Sequence, residues 1–176
     1  MTKYVKLEYP WEHLPESLLD AELRLTKILK SWEGTPFSST QAEPGVGTFC
    51  TAFVCHVWDE LHCWPKTELP KIPPDIGHHD RRGALRNIRW FREKYPHHVS
   101  LDLRHGCPTT LQPGDILVVG KQGPGHAMLV GPLMHTLWQS LGQAGVHYTG
   151  LSLQDGVKPF ALFRSTMRKR WLYRED

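Results

Sequence analysis

The stretch at residues 47–61, GTFCTAFVCHVWDEL, constrains this chain more than any other. Phe53, Val54, Val57, Trp58 and Leu61 recur at helical spacing, so the segment predicts a helix with one face in a core. Pro44, Gly45 and Gly47 stiffen the loop before it, and Thr48 can cap the helix through its hydroxyl. Cys50 then sits in the first turn. There the positive end of the helix dipole lowers a thiol's pKa and raises its thiolate fraction. That position suits a nucleophile. It also suits a small buried core residue, and this stretch alone does not separate the two.

A helix this apolar needs a core to enter. At 176 residues and 40% hydrophobic, the chain is long enough to bury one within a single domain. Residues 1–14 read as an irregular arm. Residues 15–32 predict another helix: Leu18, Ala21, Leu25, Ile28, Leu29 and Trp32 form one stripe, Pro15 suits the start and Gly34 the position after the end. Strands follow at 116–119 and 127–130, joined by a glycine-rich loop, with His126 opening the second. Residues 133–140, 146–153 and 159–164 supply further strands. Between the helices and the strands, residues at about 64–110 read as an insertion, proline-rich at first. A helix over 82–95 follows, with Leu85, Ile88 and Phe91 inward and Arg86, Arg89 and Arg92 outward. That basic face is a solvated surface or a wall of the site.

Several function classes drop out. A formal net charge of +3 is too small to argue for nucleic acid. No apolar run approaches the roughly 20 residues of a membrane span. The first residues, MTKYVKLEYPWEHL, lack the apolar core of a secretory signal, so cytoplasmic synthesis and reduced thiols are expected for the four cysteines. Cys55, His56, His62 and Cys63 look like metal ligands by type. However, Cys55 and Cys63 fall at opposite ends of a predicted helix and cannot converge. The pairs His78–His79 and His97–His98 read as surface residues. No metal or other cofactor is expected. The loop at Gly123–Gly125 has no following helix and no G-K-S/T, so it is not a phosphate cradle.

What remains is Cys50 with His126. A cysteine hydrolase needs a thiolate and an imidazole within hydrogen-bond reach, with a third polar group to fix the ring. A cysteine at a helix start facing a histidine on a neighbouring sheet is the papain-like solution. If Pro132 and Leu133 form a two-residue turn, His126 lies opposite Gln139, whose amide can accept from the imidazole N–H. His135 falls on the same face, opposite Val130. It is the second choice for the third member, since a small change of loop would bring it into place.

At these residues the chain resembles a family. WEGTPFSSTQAEPGVGTFCTAFVCHVWDEL is similar to the active-site entry of NlpC-type cell-wall cysteine peptidases: a helix, a G-T-P-aromatic turn, a glycine-rich loop, then the cysteine helix. LQPGDILVV and GHAMLVG resemble the family's L-x-P-G-D strand and histidine strand, and GVHYTGLSL and PFALFR its closing strands. Loop style is most like the single-domain, phage-tail-associated branch. The cysteine–histidine amidohydrolase (CHAP) pattern is similar too, with the same fold and chemistry. The resemblance implies an α+β domain of papain-like fold, N-terminal helices packed on a central antiparallel sheet, with Cys50 as nucleophile, His126 as base and Gln139 as the third residue. It departs from the pattern at Phe49, where an acid is usual, at Thr51 and Ala52 in place of Ser and Gly, and at Phe37, where a tyrosine is common. Phe37, Phe49 and Thr51 flank the nucleophile and are expected to contact substrate. The resemblance implies hydrolysis of an amide bond in a peptidoglycan stem peptide, with delivery to the wall by a phage tail or a secretion apparatus. Two other readings use the same residues: an acyltransferase or lipid or thioester hydrolase with the same dyad, and a catalytically weakened structural or binding module of such an assembly.

Overall fold

The computed structural model describes residues 15–61, 89, 91–93, 98–102, 111–121, 125–132, 136–150 and 153–165. The expected arm at 1–14, most of the insertion, the metal candidates His62, Cys63, His78, His79 and His97, and His135 lie outside the described residues. So do the chain's last eleven.

Among the described residues the helices α1 (Pro15–Trp32) and α2 (Cys50–Leu61) precede the sheet. Its strands are β1 (His98–Asp102), β2 (Ile116–Gly120), β3 (His126–Val130), β4 (Thr136–Leu141), β5 (Gly145–Gly150) and β6 (Lys158–Ser165). They lie in the order β1-β6-β2-β3-β4-β5, and every neighbouring pair is antiparallel. This is the expected α+β arrangement. The strand at 98–102 was not foreseen. It lies within the segment read as an insertion, and its pairing to β6 spans more than fifty residues of sequence that local pattern cannot see. Of the helix expected at 82–95, the described residues 89 and 91–93 are helical; Arg89 and Arg92 are exposed and Phe91 is fully buried, its ring 5.2 Å from that of Phe163.

Alternation along the strands makes two apolar faces. Ile116, Val118, Ala127, Leu129, Trp138, Val146, Ala161 and Phe163 face the helices and enclose Leu25, Leu29, Phe53, Val57, Trp58 and Leu61. Leu117, Val119, Met128, Val130, Leu137 and Leu162 form a second cluster. Burying α2 between α1 and the sheet is why ten of its twelve residues are buried. Trp58 Nε1 donates to the carbonyl of Gly114 at 2.7 Å and ties the helix to the turn before β2. Asp115 in that turn receives Arg164 Nε at 2.8 Å and the N–H of Gln112 at 2.8 Å, so the charges buried beneath the sheet are paired.

The loop from α1 to α2 is held against the sheet edge. Gly34 N–H donates to Val146 O and Val146 N–H to Thr35 O, both at 2.8 Å, so this loop lengthens the sheet beyond β5. The approach is so close that a Cβ on Gly145 would lie 2.3 Å from the Thr35 carbonyl oxygen. Gly145 also adopts φ 62° and ψ −149°, a region essentially confined to glycine. Gly145→Ala is therefore expected to lower unfolding stability by about 2–4 kcal/mol, read from the urea midpoint.

Candidate active site

The site is built where α2 meets the sheet. The first bond of α2 runs from Phe53 N–H to Phe49 O at 2.9 Å, so Phe49 occupies the N-cap position and Cys50 the first helical one. Thr48 does not cap the helix as expected. Its hydroxyl donates to Phe49 O at 3.3 Å, and its backbone pairs with the preceding loop, N–H to Pro36 O and O from Ser38 N–H. The whole approach to Cys50 is thereby braced.

β3 and β4 pair only as Leu129 with Trp138 and Val130 with Leu137 among the described residues. Below this pairing the first turn of α2 takes the place of a strand neighbour. On one side the N–H of Ala127 in β3 donates to Cys50 Sγ. On the other, the Ser140 hydroxyl of β4 donates to Thr48 O at 3.0 Å. By strict alternation His126 and Gln139 belong with Met128 and Leu137, on the face away from α2. At the end of the pairing, where the ladder is open, the His126 imidazole nevertheless reaches the thiol.

The register differs from the expected one. Gly131 N–H donates to Thr136 O, so the turn is four residues, 132–135, rather than two. Every β4 residue moves two places along β3, and Gln139 is no longer directly opposite His126. An even shift keeps residues on their faces, and diagonal neighbours remain within reach of long side chains. Gln139 Oε1 accordingly lies 3.0 Å from His126 Nε2. A carbonyl oxygen only accepts, so Nε2 carries a proton and Nδ1 is left for Cys50.

Burial alone would push the Cys50 thiol up. The charge of His126 and its hydrogen bond outweigh that, aided by the Ala127 N–H and by the Thr51 hydroxyl 3.9 Å from Sγ, and bring the pKa down from 9.0 to about 7. His126 moves the other way. Burial lowers it, but the cysteine's charge and the bonds to Cys50 and Gln139 raise it overall. The two shifts favour one state, a thiolate beside an imidazolium. Both residues remain partly exposed, as a group that meets an outside reactant must be. Cys55, by contrast, is buried.

Phe49 is 5% and Thr51 2% exposed, so a molecule reaching Cys50 meets their backbone rather than their side chains. Phe37 is half-buried and keeps some surface. One residue at the site was missed. His147 lies directly opposite Gln139 on β5, and its Nε2 is 3.4 Å from Gln139 Nε2. A signal existed: a turn centred on Gln143 in LGQAG puts these two residues in register. Among the described residues no group of three or more His, Cys, Asp or Glu converges as a metal site would, and no helix is long and apolar enough to cross a membrane.

A two-helix layer over an antiparallel sheet, with a cysteine at a helix start against a strand histidine, defines the papain-like α+β fold. Within it the chain shares its fold with a solved NLP/P60 structure. It is similar to a lipoprotein-like protein of the NLP/P60 family from Staphylococcus aureus, with TM-score 0.51 and 14% identity over 93% of this chain and 45% of that one. It thus spans less than half of the staphylococcal protein. Two further structures have lower TM-scores. They are the peptidoglycan hydrolase RipB from Mycobacterium tuberculosis, at TM-score 0.47 and 17% identity over 92% of this chain and 74% of that one, and the P60 domain of an antigen from M. avium subspecies paratuberculosis, at 0.46 and 15% over 85% and 96%. No protein-family model and no curated protein matches the sequence.

The electrostatics give a direct expectation. Alkylation of Cys50 by iodoacetamide, followed by mass spectrometry, should rise through an inflection near pH 7 while Cys55 stays unmodified. In His126→Ala the favourable charge is gone and burial remains, so the inflection should move to pH 9 or above.

Proposed function

We propose that this chain is a cysteine amidase or endopeptidase of the NlpC/P60 type, acting on an amide bond in peptidoglycan stem peptides. The observation that carries the reading is the partly exposed Cys50 thiol, at the start of α2 and hydrogen-bonded to His126, with Gln139 behind the ring. The fold shared with the staphylococcal NLP/P60 protein agrees with it. The sequence resemblance supplies the substrate class and narrows it to a bond between D-Glu and a diamino acid, with delivery by a phage tail or secretion apparatus.

In this mechanism the Cys50 thiolate attacks the amide carbonyl carbon. The oxygen becomes an oxyanion held by the Cys50 N–H, one of the donors that a helix start leaves unpaired. The His126 imidazolium gives its Nδ1 proton to the leaving amine and the C–N bond breaks, leaving a thioester. Water, deprotonated by the now neutral His126, releases the acid and regenerates the thiolate. Gln139 carries no proton in the cycle; its carbonyl holds one ring orientation and stabilises the imidazolium.

Digestion of purified peptidoglycan, with mass spectrometry of the products, tests the reading. Wild-type protein should release cleaved stem peptides and Cys50→Ala none, while Cys50→Ala keeps a cooperative melt because alanine suits an early helical position. Turnover by Cys50→Ala would refute the nucleophile assignment. Transfer of the acyl group to an added amine or lipid, without hydrolysis, would favour the acyltransferase reading. Gln139→Ala should lose about ten- to a hundredfold in kcat, the worth of one charge-assisted hydrogen bond.

A further inference from the structure

An amide has a donor end and an acceptor end, and Gln139 serves His126 only with its oxygen toward the ring. With the NH2 turned that way, two donors would face each other and the imidazolium would lose its support. Nothing in Gln139 itself chooses between the two orientations. The surroundings must do so, and the residue on its other side is His147. His147 Nδ1 lies 3.0 Å from the carbonyl oxygen of Gly145, which can only accept. The proton of a neutral His147 is therefore on Nδ1, and Nε2 presents a lone pair. That lone pair faces Gln139 Nε2 at 3.4 Å. The bonds run in one direction: His147 donates to Gly145 O, Gln139 NH2 donates to His147, and His126 donates to Gln139 Oε1.

We infer that His147 is a positioning residue, which holds the Gln139 amide in the one orientation that supports the Cys50–His126 ion pair. Gly145 anchors it, and the backbone of Gly145 is in turn fixed by its close approach to Thr35. The inference rests on the reading of Cys50 and His126 as nucleophile and base. Its test needs no substrate, so a failure to cleave peptidoglycan would not be mistaken for a failure here.

The measurement is the pH profile of Cys50 alkylation by iodoacetamide on the whole chain. Loss of one neutral hydrogen bond corresponds to a shift of about half to one pH unit. His147→Leu removes the acceptor, so its inflection should rise by that amount. His147→Gln keeps an acceptor and should stay at the wild-type value. In a Gln139→Ala background there is no amide to orient, so adding His147→Leu should move nothing further. A residue that merely packs would cost the same in both backgrounds. The inference is overturned if His147→Leu leaves the profile unchanged, if His147→Gln shifts as far as His147→Leu, or if the shift persists in the Gln139→Ala background. Should His147→Leu fail to fold, His147→Asn, whose amide is too short to reach Gln139, takes its place with the same expected shift.

Discussion

The site depends on the first turn of α2 standing where β3 and β4 part. A strand that loses its neighbour leaves backbone groups in need of partners, and a buried N–H without one is costly. Here the helix start supplies a partner: Cys50 Sγ accepts from Ala127 N–H, while just before it Thr48 O accepts from the Ser140 hydroxyl. The same gap lets the His126 imidazole reach the Cys50 thiol, with Gln139 of the other strand bonded to the ring from behind.

A half-buried thiolate is unfavourable unless other groups compensate. The compensation comes in layers. The imidazolium supplies charge, Ala127 N–H and Thr51 hydroxyl supply hydrogen bonds, and Gln139 supports the imidazolium from behind. β5 closes the arrangement at one point. Gly145 accepts from His147, Val146 pairs with the loop at Gly34 and Thr35, and that loop leads to Cys50. The approach to Cys50 and the far end of the hydrogen-bond chain thus share three consecutive residues of one strand.

Local pattern carried much of this. Helices at 15–32 and from 50, strands around 116–119 and 127–130, and the pairing of Cys50 with His126 were readable because burial periodicity and turn residues are local signals. Gln139 was readable for a subtler reason. The turn after β3 is four residues rather than two, yet an even error leaves each side chain on its own face, so the expected contact of Gln139 with His126 survived the wrong register. An odd error would have lost it. Thr48 failed as a cap because its backbone was already committed to Pro36 and Ser38, a contact no capping rule contains.

By itself the sequence determined the two helices, most of the strands, the order of helix before sheet, and which residues are of the types a cysteine–histidine site needs, since each follows from side-chain type and spacing along the chain. Tertiary structure alone decided that β1 joins β6, that β3 and β4 separate at the N-terminus of α2, and that His147 stands behind Gln139. Those outcomes depend on which distant backbone groups find partners once the core closes. That is settled by three-dimensional packing and hydrogen-bond satisfaction, not by any periodicity a single segment can display.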